Sequence, residues 1–417
     1  GANAGDDITL GSLNVAIGPN ALAAETVGDR SIAIGSASLY TQVGASDNLA
    51  VYNVGVGHAT GYYNRTGLYN TMVGGLAGFG NGTTHSGSNN TGIGYKALGV
   101  IGEGSSNTAV GYQALTDTTD GTHNIGIGVE AGANITVGQY NIAIGTNALL
   151  TDDTGNDTIA IGVDAGSYQN LSGTNDPSKN TLMGKKAGLK NVTGKGNTML
   201  GYHAGHGDTG SNSNNTAVGS EALGAITSAG NNTAIGYQAG NLLTTGSNNV
   251  IIGYDADVDA NSRAGCIVIG PSLSLNTASD NVVEIGNNTN SMTYDLDGGD
   301  ITVTSDVRTK KNIKDTKLGL EFINKLRPIT YQTKSPFQYP KEFGIENPSK
   351  KSSGKTWDGL IAQEVKEVMD EMDVGFSGWE EGINTKQRLA YGKFVMPLIK
   401  AIQELSAKVT ELENKLK

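Results

Sequence analysis

The sequence predicts a mainly β protein: a trimeric parallel β-solenoid (β-roll) of about sixteen coils, followed by a small α+β domain that ends in a coiled-coil helix. Two observations predict this fold. A short motif containing one glycine recurs about every 17 residues over residues 12–290, and apolar residues follow a heptad pattern at the end of the chain. The composition changes between these regions, because 53 of the 61 glycines precede residue 301.

The repeat is aligned on one glycine per coil. Ten of the fifteen spacings between successive anchor glycines equal 17, and the others range from 16 to 22. Such a period predicts stacked coils that pair with each other at about 4.8 Å, because a short strand cannot bury its apolar face alone. The anchors are Gly18, Gly35, Gly57, Gly74, Gly94, Gly111, Gly128, Gly145, Gly162, Gly184, Gly201, Gly219, Gly236, Gly253, Gly270 and Gly286.

The columns around the anchor define a strand and its corner. All sixteen coils have a β-branched residue three positions before the anchor and Ile, Val, Leu or Met one position before it. This period of two predicts a strand with one apolar face, which the stacking of coils is expected to bury. The residue between them is usually Ala or Gly, which predicts a second close contact, across a flattened coil or between subunits. Twelve coils have Asn four positions before the anchor, which could form an amide ladder, and the anchor itself suits a positive φ or a close backbone approach.

Composition excludes several classes of protein. The chain has no apolar run long enough to cross a membrane, so no membrane insertion is expected. Cys266 is the only cysteine, so neither an intrachain disulfide nor a multi-cysteine metal cluster can form. The first 300 residues are acidic and lack a basic stripe, which argues against nucleic acid binding. No cofactor, metal site or enzyme activity on an external substrate is predicted.

The C-terminal region has a different pattern of apolar and polar residues from the repeats. Residues 291–304 alternate apolar and polar positions, which predicts junction strands between the rod, residues 1–290, and a separate domain, residues 305–417. Within that domain two amphipathic helices precede a long one. A coiled coil over about 394–417 is predicted, with a homotrimer as the expected assembly; a lone helix docked on its own domain is the alternative. Its seam consists of Leu398, Ile402, Leu405, Val409, Leu412 and Leu416.

Two resemblances follow from these motifs. The repeat, as in Asn141-Ile-Ala-Ile-Gly145, resembles the heads of trimeric bacterial adhesins, which form a left-handed β-roll in a homotrimer, and similar repeats in phage tail fibres. The C-terminal region resembles the S74 peptidase family, the intramolecular chaperone of phage endosialidases and tail fibres. The motifs that carry the second resemblance are Ser305-Asp306-x-Arg308-x-Lys310-x-Asn312-Ile313, Leu326-Arg327-Pro328-x-x-Tyr331, Gly359-Leu-Ile-Ala-Gln-Glu-Val365, Tyr391 and Pro397-Leu-x-x-Ala-Ile-Gln-Glu-Leu405.

The S74 resemblance implies a trimeric chaperone that cleaves itself off, here between Thr304 and Ser305, with Ser305 and Lys310 as the dyad and Asp306 and Arg308 in support. The residue before the lysine is Thr309, where the family usually has Leu. The chemistry is consistent with this assignment, because a serine needs a base and every histidine lies at or before residue 206. The simpler interpretation is that Ser305 and Asp306 cap a turn while Lys310 is solvated.

Together these features predict a virion tail fibre or similar appendage for host-cell attachment. Its expected partners are two further copies of itself, a glycan or protein receptor on the host surface and other virion tail proteins. It would fold in the host cytoplasm before assembly into the virion. The alternatives are a bacterial trimeric surface adhesin, which would need a C-terminal membrane barrel, and a glycan-degrading tailspike, which would need clustered carboxylates on the rod.

Overall fold

The computed structural model describes residues 1–416 except 47–48, 83–84, 172–175, 208–209, 276–278, 297–300, 304–310, 340–353 and 382–386. The chain forms two compact units, Gly1–Thr304 and Ser305–Lys417. The first unit is the predicted β-solenoid, and the second is a small α+β domain with a long terminal helix. The predicted β-solenoid and the small domain that ends in a long helix are therefore confirmed, and the trimer and the coiled coil stay predictions.

The solenoid unit is built on a ladder of sixteen short strands, one before each anchor glycine. Each strand pairs in parallel with that of the next coil, and equivalent repeat positions face each other, as in Thr108 with Ile125. At the usual strand spacing the ladder is about 75 Å long. The strands are Val15–Ile17, Ile32–Ile34, Val54–Val56, Thr71–Val73, Thr91–Ile93, Thr108–Val110, Ile125–Ile127, Ile142–Ile144, Ile159–Ile161, Thr181–Met183, Thr198–Leu200, Thr216–Val218, Thr233–Ile235, Val250–Ile252, Ile267–Ile269 and Val282–Gly286.

Three further strand pairings are described in this unit. Gly155–Asn156 pairs in parallel with Asp176–Pro177. After the last coil the chain turns back, because Ser291–Asp295 pairs antiparallel with both Val282–Gly286 and Ile301–Val303. The antiparallel strands occupy the segment in which the sequence predicts junction strands.

The interior of the coils is filled by alanines together with Leu, Ile and Met side chains. The residue two positions before the anchor is buried in fifteen of the sixteen coils, and it is usually Ala or Gly. It packs with the alanine three positions after the anchor, as Ala143 does with Ala148 in the largest core cluster. The small-residue column therefore makes its close contact across the coil, one of the two options that the sequence leaves open.

The branched column and the aliphatic column lie on the opposite side of the same strands, facing away from the coil. All thirty-two of these residues are half-exposed or exposed, and none carries a charge. Ile17, for example, is 56 % exposed. The expectation that coil stacking buries this face is thus wrong. Stacking satisfies the backbone along the ladder but leaves both side-chain columns uncovered, because consecutive side chains of a strand point to opposite faces. We call these thirty-two residues the outer apolar face.

The anchor glycine is required at the corner for two reasons. Its φ lies between 122° and 150° in all sixteen coils, a region that residues with a side chain rarely adopt. A Cβ on Gly111 would also collide with the carbonyl group of Gly128 in the next coil, and the same contact recurs along the ladder. Both explanations considered for this column are therefore correct.

The asparagine column forms the predicted ladder inside the coils. Each of the twelve asparagines accepts a hydrogen bond from the backbone N–H of the equivalent residue in the next coil, at 2.8–3.0 Å. Its Nδ2 donates to a carbonyl of the following turn, as Asn124 does to Gly138 at 2.7 Å. The residue before each asparagine has a positive φ in every coil, as Tyr140 does at 58°. The sequence alone did not reveal this second left-handed position.

The second unit contains three α-helices and two short antiparallel strand pairs. The helices are α1, Leu320–Lys325; α2, Ala362–Glu371; and α3, Val395–Lys415. The strand pairs are Ile329–Gln332 with Thr356–Gly359, and Trp379–Glu381 with Gln387–Leu389. Short 3-10 turns cover Pro336–Gln338 and Tyr391–Phe394. The core contains Phe322, Val365, Val368, Met369, Phe376 and Phe394.

Helix α3 packs against α1 near its start and is exposed over the rest of its length. Within it only Pro397 and Ala401 are buried. The six residues of the predicted coiled-coil seam are 45–87 % exposed. The alternative prediction, a lone helix docked on its own domain, would require these apolar residues to be covered. In the single chain they are exposed.

Candidate functional site

The residues of the predicted cleavage site are not among those that the structure describes. Thr304, Ser305, Asp306, Arg308 and Lys310 all fall within residues 304–310. The description ends at Val303, the last residue of the final antiparallel strand, and resumes at Lys311. The geometry of the Ser305–Lys310 dyad therefore stays a prediction, and the site is described through the domain that follows it.

The motif residues of the C-terminal unit form its framework. Arg327, just after α1, donates two hydrogen bonds to the carboxylate of Glu364 in α2, one of them from Nε at 3.1 Å. This contact raises the pKa of the Arg327 guanidinium. Two-point binding of a carboxylate requires the planar fork of arginine. The spacing between the Leu326-Arg327-Pro328 motif and the helix motif thus reflects a direct contact between the two segments.

A second framework contact joins Tyr391 to the turn before α2. The Tyr391 hydroxyl accepts a hydrogen bond from the backbone N–H of Leu360 at 2.8 Å. A Cβ at Gly359 would collide with that hydroxyl oxygen, so the close approach requires glycine there. Gly359 also pairs with Ile329 in the first strand pair. One tyrosine thus holds the strand pair and the start of α2 together.

The third contact links the terminal helix to the start of the unit. Glu404 in α3 accepts a hydrogen bond from the backbone N–H of Leu320 at 2.8 Å. Leu320 is the first residue of α1, where free N–H groups favour an acidic partner. A Cβ on Gly319 would lie about 2.5 Å from the Glu404 carboxylate. Glu404 belongs to the Pro397–Leu405 motif, inside the predicted coiled coil, but the sequence did not indicate its role as a cap.

Ion pairs on the surface of this unit add little specific chemistry. Lys325 and Glu371 lie 2.6 Å apart, and this hydrogen bond raises the pKa of Lys325. Lys311 and Lys314, which follow the predicted dyad in the sequence, are exposed. Across the described residues of both units, no group of three or more His, Cys, Asp or Glu side chains is placed to hold a metal ion. No helix within the described parts of the chain is long and apolar enough to cross a membrane.

Comparison with known families identifies the C-terminal unit. Residues 305–373 match the family model Peptidase_S74, described as the chaperone of endosialidase. The match begins at Ser305, the first residue of the second compact unit. The chain is therefore a β-solenoid protein that carries an endosialidase-type chaperone domain. Comparison with curated proteins and with solved structures gave no match.

The family match ends within the described framework. Tyr391 and Glu404 lie beyond residue 373, yet they contact Leu360 and Leu320 inside the matched segment. The compact unit thus extends the matched domain through α3. This arrangement joins helix α3 directly to the core of the C-terminal unit.

Proposed function

We propose that this chain is a homotrimeric phage tail fibre, or a similar virion appendage, whose C-terminal unit aligns three chains and then cleaves itself off. The observation that carries the proposal is the outer apolar face of the solenoid. The same chain also contains a domain of a chaperone family that acts on fibres. The face is uncharged over thirty-two positions and runs the length of the ladder. A strip about 75 Å by about 10 Å is larger than the apolar patches typical of monomers.

A second copy of the same face is the natural cover for it. Flat columns of Ile, Val and Thr repeat with the same spacing in every chain, so the faces can pack row against row. Three parallel faces around an axis would remove all of them from water. The exposed seam of α3 supports the same assembly, because a heptad stripe of Leu, Ile and Val is stable when other helices cover it.

The proposed cleavage separates the fibre from its chaperone. Lys310, as a neutral amine, accepts the proton of the Ser305 hydroxyl, and Ser305 Oγ attacks the carbonyl carbon of Thr304. The peptide C–N bond breaks while an ester C–O bond forms, and the Ser305 nitrogen takes up the proton. Water then hydrolyses the ester, leaving Thr304 with a carboxylate. The division of the chain into Gly1–Thr304 and Ser305–Lys417 supports this position of the cut.

The order of events has a kinetic reason. Chains with near-identical coils can pair out of register, and a C-terminal trimer raises the local concentration of correctly aligned chains. Removal of the C-terminal domains after the rod has folded makes the folding of the rod hard to reverse. The mature rod, residues 1–304, would be part of the virion and attach it to a glycan or protein of the host surface. Folding would precede this, in the host cytoplasm.

Mass spectrometry of the full chain tests the cleavage and the assembly together. Denaturing spectra should show two fragments that meet between Thr304 and Ser305, and native spectra should show a trimeric rod. Ser305→Ala and Lys310→Ala should leave the chain intact, while the matched control Lys311→Ala should be cleaved normally. Cleavage of the Ser305→Ala chain at the same bond would refute the mechanism.

The outer apolar face is tested separately. Ile144→Lys places a charge in its middle and should reduce the trimeric fraction, whereas Glu103→Lys, on an exposed turn, should not. Equal trimer content in both variants would refute the packing of this face between copies. A glycan-degrading tailspike is the rival function, and release of oligosaccharides from host polysaccharide by the purified rod would favour it.

A further inference from the structure

Two coils interrupt the asparagine ladder, and both interruptions have the same construction. At the ladder position, four residues before the anchor, Thr158 replaces asparagine in one of them, and Ser31 does so in the other. Each of these coils is followed by a 22-residue spacing to the next anchor, from Gly162 to Gly184 and from Gly35 to Gly57. They are the only two spacings of that length.

In the later coil a glutamine replaces the missing amide. Gln169 Nε2 donates to Thr158 Oγ1 at 2.9 Å and to Asp152 Oδ2 at 2.8 Å. Gln169 Oε1 accepts a hydrogen bond from Nδ2 of Asn180, the next ladder asparagine, at 2.9 Å. All four side chains are almost completely buried. The polar ladder thus continues through the longer coil, but with a different set of residues, which we call the second junction.

The earlier coil repeats this network, with each member offset by 127 residues. Gln42 Nε2 donates to Ser31 Oγ at 2.9 Å and to Glu25 Oε2 at 2.8 Å, and its Oε1 accepts from Asn53 at 2.9 Å. Glu25 Oε1 also accepts backbone N–H groups, including that of Gly44 at 2.9 Å. These four residues are the first junction. Its acid is Glu where the second has Asp, so the hydrogen-bond plan is kept although the acid side chain differs.

Ordinary coils have an uncharged residue where the junctions have their acid. In the described coils with asparagine in the ladder, the buried residue ten positions before the anchor is Asn64, Ile101, Thr118, Ile135, Asn191, Ile226 or Leu243. A carboxylate at that depth is costly unless hydrogen-bond donors surround it. At the second junction the donors include Gln169 and the N–H of Gly155. The acid therefore suits only a neighbouring coil that supplies the glutamine.

We propose that the two junctions mark the register of the solenoid: each permits its coil to stack on a neighbour that supplies the glutamine and penalises stacking on an ordinary coil. Ordinary coils are more nearly interchangeable, because they pair Asn with Asn in the ladder and have an uncharged residue where the junctions have their acid. If the 22-residue coil looped out, Asp152 would face an ordinary coil and be buried without Gln169, while Thr158 would offer no amide to the ladder. This inference concerns folding within one chain and does not depend on the proposed virion function.

Deletion of whole coils reproduces the mispaired state and tests the proposal. Deleting residues 112–128 removes one ordinary 17-residue coil and joins two ordinary coils. Deleting residues 163–219 removes the 22-residue coil with Gln169 and the next two coils, and it leaves Asp152 and Thr158 against the ordinary coil that contains Ile226. Both full-length chains are refolded, and amide hydrogen exchange around Gly155 and Thr158 is compared with that of the parent chain.

The ordinary deletion should give soluble rod with unchanged protection around Gly155. The junction deletion should raise local opening there by roughly 100-fold, because a buried carboxylate loses its partner. Adding Asp152→Ile and Thr158→Asn to the junction deletion converts the coil to the ordinary pattern and should restore protection. The proposal is overturned if the two deletions behave alike, or if the two substitutions fail to rescue the junction deletion.

Discussion

Removing one amide from the middle of the asparagine ladder should open the solenoid locally. In Asn124→Ala two buried groups lose their partners: the carbonyl of Gly138, to which Nδ2 donates at 2.7 Å, and the N–H of Asn141, which donates to Oδ1 at 3.0 Å. Asn124 is fully buried. At about 1–3 kcal/mol for each unsatisfied buried group, the substitution should lower the free energy of local unfolding by about 2–6 kcal/mol.

Amide hydrogen exchange measures this loss where it occurs, because coils of a solenoid contact mainly their neighbours and can open locally. The Asn141 amide should exchange at least roughly 30-fold faster than in the parent chain, while distant coils keep their protection. Glu103→Ala, on an exposed turn, is the control and should change stability by less than about 0.5 kcal/mol. If the Asn141 amide exchanged as slowly in Asn124→Ala as in that control, the ladder would not hold the coils together as argued.

Three further predictions concern the corner, the buried acid and the terminal helix. Gly111→Ala should prevent normal stacking there, because its φ is 139° and the Cβ meets the Gly128 carbonyl; loss of protection in both coils by hydrogen exchange would show it. Burial raises the pKa of Asp152 from 3.8 to about 6, so the folded state binds the proton more tightly than the unfolded one. The free energy of unfolding of the coil that contains Asp152 should therefore fall by about 3 kcal/mol as the pH rises from about 4 to about 6. A denaturation midpoint of this coil that does not change with pH would contradict this prediction. Leu405→Asp, on the exposed seam, should lower the trimeric fraction measured by light scattering, whereas Ser406→Asp, beside it, should leave the fraction unchanged.

The C-terminal unit shows which parts of a site the sequence can predict. The motifs around Arg327 and Glu364 are visible in the sequence, and the contact between them explains why they occur together. The cap that Glu404 provides for Leu320 spans 84 residues, and no local pattern indicates such a distance. The dyad at Ser305 and Lys310 rests on the family match and on the chemistry of serine nucleophiles, since the described residues begin again only at Lys311.

The junctions of the solenoid were missed for a different reason. Asp152 and Gln169 are 17 residues apart, and only coil stacking turns that separation into a contact. Aligning the repeat on its glycine shows Ser31 and Thr158 only as two exceptions in the asparagine column and does not indicate the acid or the glutamine that accompany them. Comparison of the chain with itself at an offset of 127 residues reveals them, since acid, hydroxyl, glutamine and asparagine all recur at that offset.

The sequence by itself determined the period, the number of coils, the corner glycines and the asparagine ladder, because each depends on backbone geometry that repeats with the chain. Only the tertiary structure decided which side of the strand faces inward. Both sides are apolar, so alternation alone cannot assign them. The asparagine ladder decides the question: side chains two positions apart on a strand point to the same side, so the buried Asn141 places Ala143 inside and leaves Ile142 and Ile144 outside, on the face that the proposed trimer would cover.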